Sequence, residues 1–528
     1  MPTFGFEGEN AREKVIVLLT MCFALGMAML DNTVVNVALP TIRHDLAAGI
    51  SELQWIVDGY VLAFASLLLT GGILGDRYGR KKMFVGGVTI FTLASFACGL
   101  SQSTSQLIAF RVIQGSGGAL LMPGTLSIIT VTFPPHERAR AIGLWAGMSG
   151  LALALGPTLG GLMVEHLGWQ SVFFLNVPIG AAAFLISLRT VRESVSEEER
   201  LLDIPGLLLG TGALFCVTYA LIEANQRGWT DPIIIGGFVG FVLLGAAFLM
   251  WEIRNEHAMM PLRFFRIPAF SAGNTVAFCV SLGMFAVLFF FSIYLQSLHG
   301  YTPFQAGVRF LPLTLAVILT APNAGKFAQR HGSRVPMTYG LLLAGGGLLL
   351  LGLTIKIDTS YWYLFPVFAV MGHGIGATMA PMTAAVMNSV GPQRAGLGSA
   401  MTNTSREIGG VLGIALLGAI LTTELKNAFL PALDRFGLSP AQQAAIGTAA
   451  GRGEFGPALL RGLPSAVQAG IGQAFGNAFM DGFRLALLVG GSVLLAGAIV
   501  AFTWIPQGAY RREDAGGAER EGPIPVEV

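Results

Sequence analysis

Long apolar stretches recur along the chain, each the length of a helix that crosses a bilayer. A hydrocarbon core of ~30 Å needs about 20 apolar residues in helical form. Fourteen stretches meet that length: 15–39, 53–74, 83–100, 106–130, 140–163, 171–189, 204–222, 232–251, 269–297, 305–325, 336–355, 361–388, 397–421 and 482–505. In lipid the backbone must satisfy its own hydrogen bonds, which leaves helices or closed barrels; stretches this long read as helices. Only 12% of the 528 residues are charged, against about 25% in soluble domains. That is too little charge to clothe a water-facing surface.

Lysine and arginine alternate across these stretches as the positive-inside rule demands. With a cytoplasmic N-terminus, Arg77, Arg80, Lys81, Lys82, Arg138, Arg140, Arg192, Arg263, Arg330 and Arg394 all fall inside. The opposite side receives few basic residues, most of them in the long segment 422–481. The expected architecture is therefore an all-α integral membrane protein with fourteen transmembrane helices and both termini cytoplasmic. A net charge of +2 with no polybasic block gives no sign of a nucleic-acid partner. The four cysteines lie singly within apolar stretches and fit core packing.

A weak repeat divides the chain. "GILGDRYGRKKMF" (72–84) follows the second span and "GKFAQRHGSRVPM" (325–337) follows the tenth, aligning Gly72 with Gly325, Arg77 with Arg330 and Gly79 with Gly332. The expected organisation is a six-helix bundle over 1–200, two additional linker helices over 201–262 and a second six-helix bundle over 263–510. The halves would be related by a pseudo-twofold axis. The external loop 422–481, with helical stretches, would form an amphipathic or mobile cap, and 511–528 a cytoplasmic tail. Related halves around a mid-membrane site are the plan of many secondary transporters.

Polar residues inside the spans are the functional candidates, because a carboxylate at mid-helix costs roughly 2.5–3.5 kcal/mol even on the insertion scale. Asp31 lies about eight residues from Leu39, roughly 12 Å below the end of the first span. It has three readings: a structural ion pair with Arg111, a counter-charge for a cationic substrate, or an acid whose charge alternates with conformation. Arg111 begins the fourth span and either snorkels to the outer headgroups or faces a polar cavity with Gln114 one turn on. His373, halfway along the twelfth span, suits either a proton role or packing. Asp58 is expected near the outer end of the second span, accessible from outside. Arg406 and Glu407 are expected to form a mutual or neighbouring ion pair in the thirteenth span. Asn32, Asp58, Gln114, Phe285, Phe289 and Met379 are candidate walls of a substrate cavity, although aromatic and sulfur side chains serve equally as lipid-facing residues.

The segment Gly72, Asp76, Arg77, Gly79, Arg80 reads as a tight cytoplasmic turn with charges placed for an ion-pair latch against another helix end. Gln329 replaces Asp76 in the second copy, so the latch would act on one side. Gly156, Pro157, Gly160 and Gly161 give the fifth span a small-residue face for close backbone approach, and Pro157 removes a helical hydrogen bond.

The ordered set "LDNTVVNVALP" (30–40), "GILGDRYGRKK" (72–82), "LIAFRVIQGSGGAL" (107–120), "GLALALGPTLGG" (150–161), "GWQSVFFLNVPIG" (168–180) and "RAGLGSAMTNTSREIGG" (394–410) resembles the fourteen-span drug:proton antiporter family of the major facilitator superfamily. The resemblance implies a proton-coupled exporter of hydrophobic, often cationic small molecules, multi-pass in the inner (plasma) membrane, functional as a monomer and without cofactor, metal or enzymatic activity. It implies that Arg111 influences proton transfer, that the 72–82 segment gates conformational change and that the glycine-proline stretch seals the pathway. An exporter of one endogenous metabolite or lipid-like product and a non-transporting membrane sensor or scaffold are the competing expectations.

Overall fold

The computed structural model describes residues 11–133, 135–195, 203–255, 258, 260, 262–390, 395–451, 460 and 463–507. Among them thirteen helices are long and apolar enough to cross a membrane. The 33-residue helix Pro135–Leu167 stands where the fifth span is expected, giving the fourteen predicted from hydropathy. The first group comprises α1 (Ala11–Leu46), α2 (Ile50–Tyr78), α3 (Arg80–Gly99), α4 (Thr104–Thr132) and α5 (Pro135–Leu167), with α6 (Ser171–Phe174) and α7 (Asn176–Thr190) sharing the sixth span. Next come α8 (Ile204–Arg227) and α9 (Pro232–Arg254). The second group is α10 (Pro268–Ile293), α11 (Pro303–Arg309), α12 (Leu311–His331), α13 (Arg334–Thr354), α14 (Tyr361–Val390), α15 (Ala395–Leu433), α16 (Pro440–Gly451) and α17 (Ser465–Trp504).

Within the first group α2 packs on α4, α3 on α4 and α7, and α1 on α5; within the second α12 packs on α14, α13 on α17 and α10 on α15. Small residues let these helices touch. A Cβ added at Gly117 would stand 2.5 Å from the Phe91 nitrogen, and one at Gly372 2.0 Å from the Leu313 carbonyl. The perimeter carries bare apolar side chains, Leu353 73% exposed, Ile253 72% and Leu319 70% among them, a surface suited to lipid.

Two expected boundaries differ. The apolar stretch ending at 421 continues as helix to Leu433, and the last helix begins at Ser465 rather than near 482. Leu421, Leu425, Phe429 and Leu433 recur every four residues and are buried, with Phe429 edge-on to Phe475 at 5.5 Å. This stripe needs a helical partner rather than lipid, so hydropathy alone stops short of it. The tail 511–528 lies outside the described residues.

Candidate functional site

Asp31 lies inside the first group, 1% exposed, and its carboxylate is met from three directions. Arg111 Nη1 on α4 donates to Oδ2. Gln114 Nε2 and Asn176 Nδ2 donate to Oδ1 at 2.9 and 2.8 Å. Gln114 is a bridge, since its Oε1 accepts from Arg111 Nη1 at 2.8 Å. Its place one helical turn after Arg111 makes this possible. Arg111 spends its Nε on the Ile56 carbonyl at 3.1 Å and lies over the Tyr60 ring, 4.1 Å from its centroid, a cation–π contact in a dry setting. Asn176 also donates to Ser95 Oγ at 3.0 Å, and Ser95 to the Phe173 carbonyl at 2.9 Å.

Helices α1, α2, α3, α4 and α7 thus converge on one ion pair. Three donors around two oxygens is the arrangement a carboxylate accepts. Removing any helix from the set would leave a buried charge short of partners, which is costly. The snorkelling alternative for Arg111 does not hold: the side chain is 1% exposed and turned inward.

The two groups of helices meet at one end of the bundle, that of Pro40 and Pro303. A Cβ at Gly156 would stand 1.8 Å from Thr33 Oγ1, one at Gly160 2.9 Å from Val34 Cγ1, and one at Gly161 2.4 Å from the Pro303 carbonyl. Reciprocally, a Cβ at Gly307 would stand 2.1 Å from the Pro157 carbonyl. The glycine-proline stretch is therefore clasped between α1 of its own group and α11 of the other. Thr158 Oγ1 donates to the Gly307 carbonyl at 3.3 Å and the Phe304 amide to Glu165 at 3.1 Å. Ser292 and Gln296 donate to the carbonyls of Asn36 and Val37. On a second seam, Gln54 of α2 donates to the Ile414 carbonyl of α15 at 3.1 Å.

At the opposite end Gly79 turns the chain with φ +112°, a region open to glycine without strain. Asp76 in the last turn of α2 pairs with Arg80 at the start of α3, across the Gly79 turn, at 3.0 Å, and Arg77 lies over the Tyr78 ring at 5.4 Å. The tie to another element comes from Glu193, whose Oε1 accepts from the Lys81 amide at 3.0 Å. Lys81 Nζ donates to the Leu188 carbonyl. Gly72 faces Pro123, 3.7 Å from where its Cβ would lie.

Other expected residues lie apart from Asp31. His373 sits in the second group, bonded to Thr320 Oγ1 at 2.8 Å and near the Tyr339 hydroxyl at 3.4 Å. Asp58 is 0% exposed rather than reachable from outside; α4, α15 and α8 all pack on α2. Glu407 has no ion pair with Arg406, whose Nη1 reaches Asn403 at 3.5 Å instead. Asn32 is buried with Oδ1 unpartnered. Phe289 is sealed in the core, edge-on to Phe290 at 4.8 Å, and Met379 packs against the core from its margin. The side chain of Phe285 lies outside the described residues. A hollow of about 1830 Å³ opens at the Pro40 end, among Arg43, Lys356, Gln468 and Arg484; it contains no member of the Asp31 cluster.

Sequence reasoning missed Asn176, Ser95, Tyr60 and Glu193. Asn176 had a visible signal, a lone amide within the apolar stretch "SVFFLNVPIG" (171–180).

Comparison with known proteins agrees with this architecture. Residues 21–414 match the Major Facilitator Superfamily. The chain is 36% identical over 521 residues to the tetracenomycin C resistance and export protein of Streptomyces glaucescens, covering 96% of this chain and 94% of that one. It is 40% identical over 422 residues to the methylenomycin A resistance protein of Streptomyces coelicolor, covering 80% and 88%. It is 33% identical over 507 residues to the multidrug resistance protein Stp of Mycobacterium tuberculosis, covering 94% and 93%. A solved structure, an inward-facing and occupied bacterial homolog of the human lysosomal transporter Spinster, shares the fold at TM-score 0.62 and 19% identity, covering 94% of this chain and 97% of that one. A bundle of membrane-crossing helices in two packed groups, with a buried ion pair inside the first, agrees with these matches: the chain belongs to the Major Facilitator Superfamily.

Proposed function

We propose that this chain exports hydrophobic, often cationic small molecules in exchange for protons, by alternating access across the inner (plasma) membrane, and works as a monomer with both termini cytoplasmic. The relatives named for antibiotic resistance and export support the direction and the cargo. The observation that carries the coupling is the buried Asp31–Arg111 pair with Gln114 and Asn176 around it. The pair and the groups bonded to it come from α1, α2, α4 and α7, so any rearrangement of the bundle changes the hydrogen bonds that hold the charge. A carboxylate stripped of donors in oil takes up a proton instead. One charge crossing yields about 2.3 kcal/mol per 100 mV, which is the energy such a switch would harvest.

The bonds between the groups lie at the Pro40 end, which basic-residue bias assigns to the outside, so this conformation reads as inward-facing. In the alternate state the Gly156–Gly161 clasp would part and the Asp76–Arg80 segment would engage the second group. His373, bonded among α12, α13 and α14, serves packing in this reading. Asn32 and Met379 remain candidate cavity walls.

In everted vesicles holding a preset pH gradient, added ethidium should release protons, and Asp31→Asn should abolish the release while the protein stays folded. Normal exchange by Asp31→Asn would remove Asp31 from the coupling role. A second reading, export of one specific compound, draws on two relatives that are each named for a single antibiotic. A resistance profile of overexpressing cells with an uncoupler control separates them: narrow for one compound, broad for many.

A further inference from the structure

A pocket of about 460 Å³ opens at the Pro40 end, away from the Asp31 cluster, and two opposite charges line it. Arg309 is the last residue of α11, and Asp358 lies in the turn between α13 and α14. Both act electrostatically on His299, a third residue of the wall. Yet among the described residues neither belongs to an ion pair. A cation and an anion that share a small pocket and stay apart leave room for a ligand carrying both charges.

Arg309 is held in place on its faces and open at one edge. Its guanidinium lies over the rings of Tyr301 and Tyr361, 3.5 and 5.2 Å from their centroids. Its Nη1 donates to the Gln305 carbonyl at 2.9 Å, while its Nε is buried without a partner. Aromatic contact fixes the plane of a guanidinium and leaves its edge to hydrogen-bond. Such an edge matches the oxygens of a phosphate. On the same wall Ser360 Oγ accepts from the Trp362 amide at 3.3 Å, which leaves its O–H to donate.

The rim fits a membrane surface. Trp362 is 79% exposed beside Tyr361, and tryptophan and tyrosine gather where hydrocarbon meets water. Phe365, one turn along α14 and next to both rings, is bare as well. Asp358 also borders the larger hollow, so the acidic end of the pocket lies toward water and the aromatic end toward lipid. We infer that this pocket binds the headgroup of a zwitterionic phospholipid with a primary ammonium. The phosphate sits on Arg309 and Ser360, the ammonium on Asp358 against the Trp362 ring, and the acyl chains run past Phe365.

The place of this site in the outer leaflet rests on the orientation proposed above. Its consequence for the bundle comes from Gly307, two residues before Arg309, whose Cα is pressed on the Pro157 carbonyl of the first group. The Tyr361 hydroxyl already donates to the Arg309 carbonyl at 3.4 Å, tying the end of α11 to the start of α14. A lipid bound across the same two helices braces the glycine clasp and favours the conformation closed at this end.

Native mass spectrometry of the full chain, titrated with dioleoyl phosphatidylethanolamine, phosphatidylcholine or phosphatidylglycerol, tests this. The wild-type protein should retain the ethanolamine lipid best. Its ammonium can donate to Asp358, whereas the choline ammonium has no N–H and the glycerol headgroup has no cation. Arg309→Gln should weaken retention by about tenfold, as expected for losing a charged hydrogen-bond partner. Asp358→Asn should abolish the preference over phosphatidylglycerol. Glycerophosphoethanolamine, the same headgroup without chains, should compete far less well than the intact lipid. Equal retention of the three lipids by the wild-type protein, or retention unchanged in both variants, overturns the inference. A chain-free headgroup that competes as well as the lipid overturns the lipid assignment. The preference is read first on the unmodified protein, so a misfolded variant does not blunt the test. It needs neither transport nor orientation, so its failure is told apart from theirs.

Discussion

Asn176 holds Asp31 in place from the far side of the first helix group. Its Nδ2 stands 2.8 Å from Asp31 Oδ1 and 3.0 Å from Ser95 Oγ, so one amide joins α1, α3 and α7. Asn176→Ala removes a donor from a fully buried carboxylate. The expected loss is about 1–3 kcal/mol, read as a lower unfolding midpoint in detergent.

Deleting the acid has a larger effect than deleting its helper. Asp31→Ala leaves Arg111 as a buried charge with no counter-charge, only the Ile56 carbonyl, the Gln114 amide and the Tyr60 ring beside it, a loss of about 3–5 kcal/mol when one member of a buried pair is removed. Asp31→Asn keeps the shape and should unfold at a temperature between Asp31→Ala and wild type. An Asp31→Ala protein as stable as wild type would contradict the ion-pair geometry.

The glycine clasp predicts an asymmetric rescue. Gly156→Ala collides first with Thr33 Oγ1 and Cβ, and Gly307→Ala with the Pro157 backbone carbonyl. Both should lower transport and cost about 1–3 kcal/mol through overpacking. Adding Thr33→Gly removes the two atoms nearest Gly156 and should restore Gly156→Ala. No side-chain change should restore Gly307→Ala. Ethidium efflux from cells expressing each single and double variant distinguishes the cases.

At the other end, Glu193 accepts from the Lys81 and Ser194 amides and leaves no room for a side chain at position 79. Glu193→Ala should loosen the Gly79 turn by about 0.5–2 kcal/mol, the range for a lost helix cap. Faster proteolytic cleavage between 76 and 82 would register it. Gly79→Ala should do the same through strain at φ +112°.

Acid should loosen the Pro40 end through His299. Burial, then Arg309, holds its imidazole below the ordinary histidine value of 6.5, with Asp358 opposing. As pH falls, the unfolded chain is protonated first, so it binds more protons than the fold and stability declines. The decline should start near 6.5 and level off once pH passes below the lowered folded value. His299→Gln, which keeps a polar group beside the Tyr294 hydroxyl, should flatten that stretch of the stability–pH curve.

The spans, their order and the candidate charges were readable from residues alone because hydropathy and basic-residue bias are local properties of a segment. The same reasoning stopped short at α15, where Leu425, Phe429 and Leu433 continue an amphipathic stripe beyond the lipid-length stretch. It placed Asp76 beside Arg80, as the structure does, but not the partners of two other groups: Arg406 turns to Asn403, and Asp58 is covered rather than exposed.

Length and apolarity determined by themselves that this chain crosses a membrane many times and that an acid in its first helix must be answered by something. Which groups answer it was decided only by the tertiary structure, because a hydrogen bond depends on the azimuth of two helices and the depth at which they cross. Asn176, far along the chain from Asp31, became its partner that way. By the same geometry Asp58, just as conspicuous in the sequence, came to rest with neither carboxylate oxygen bonded.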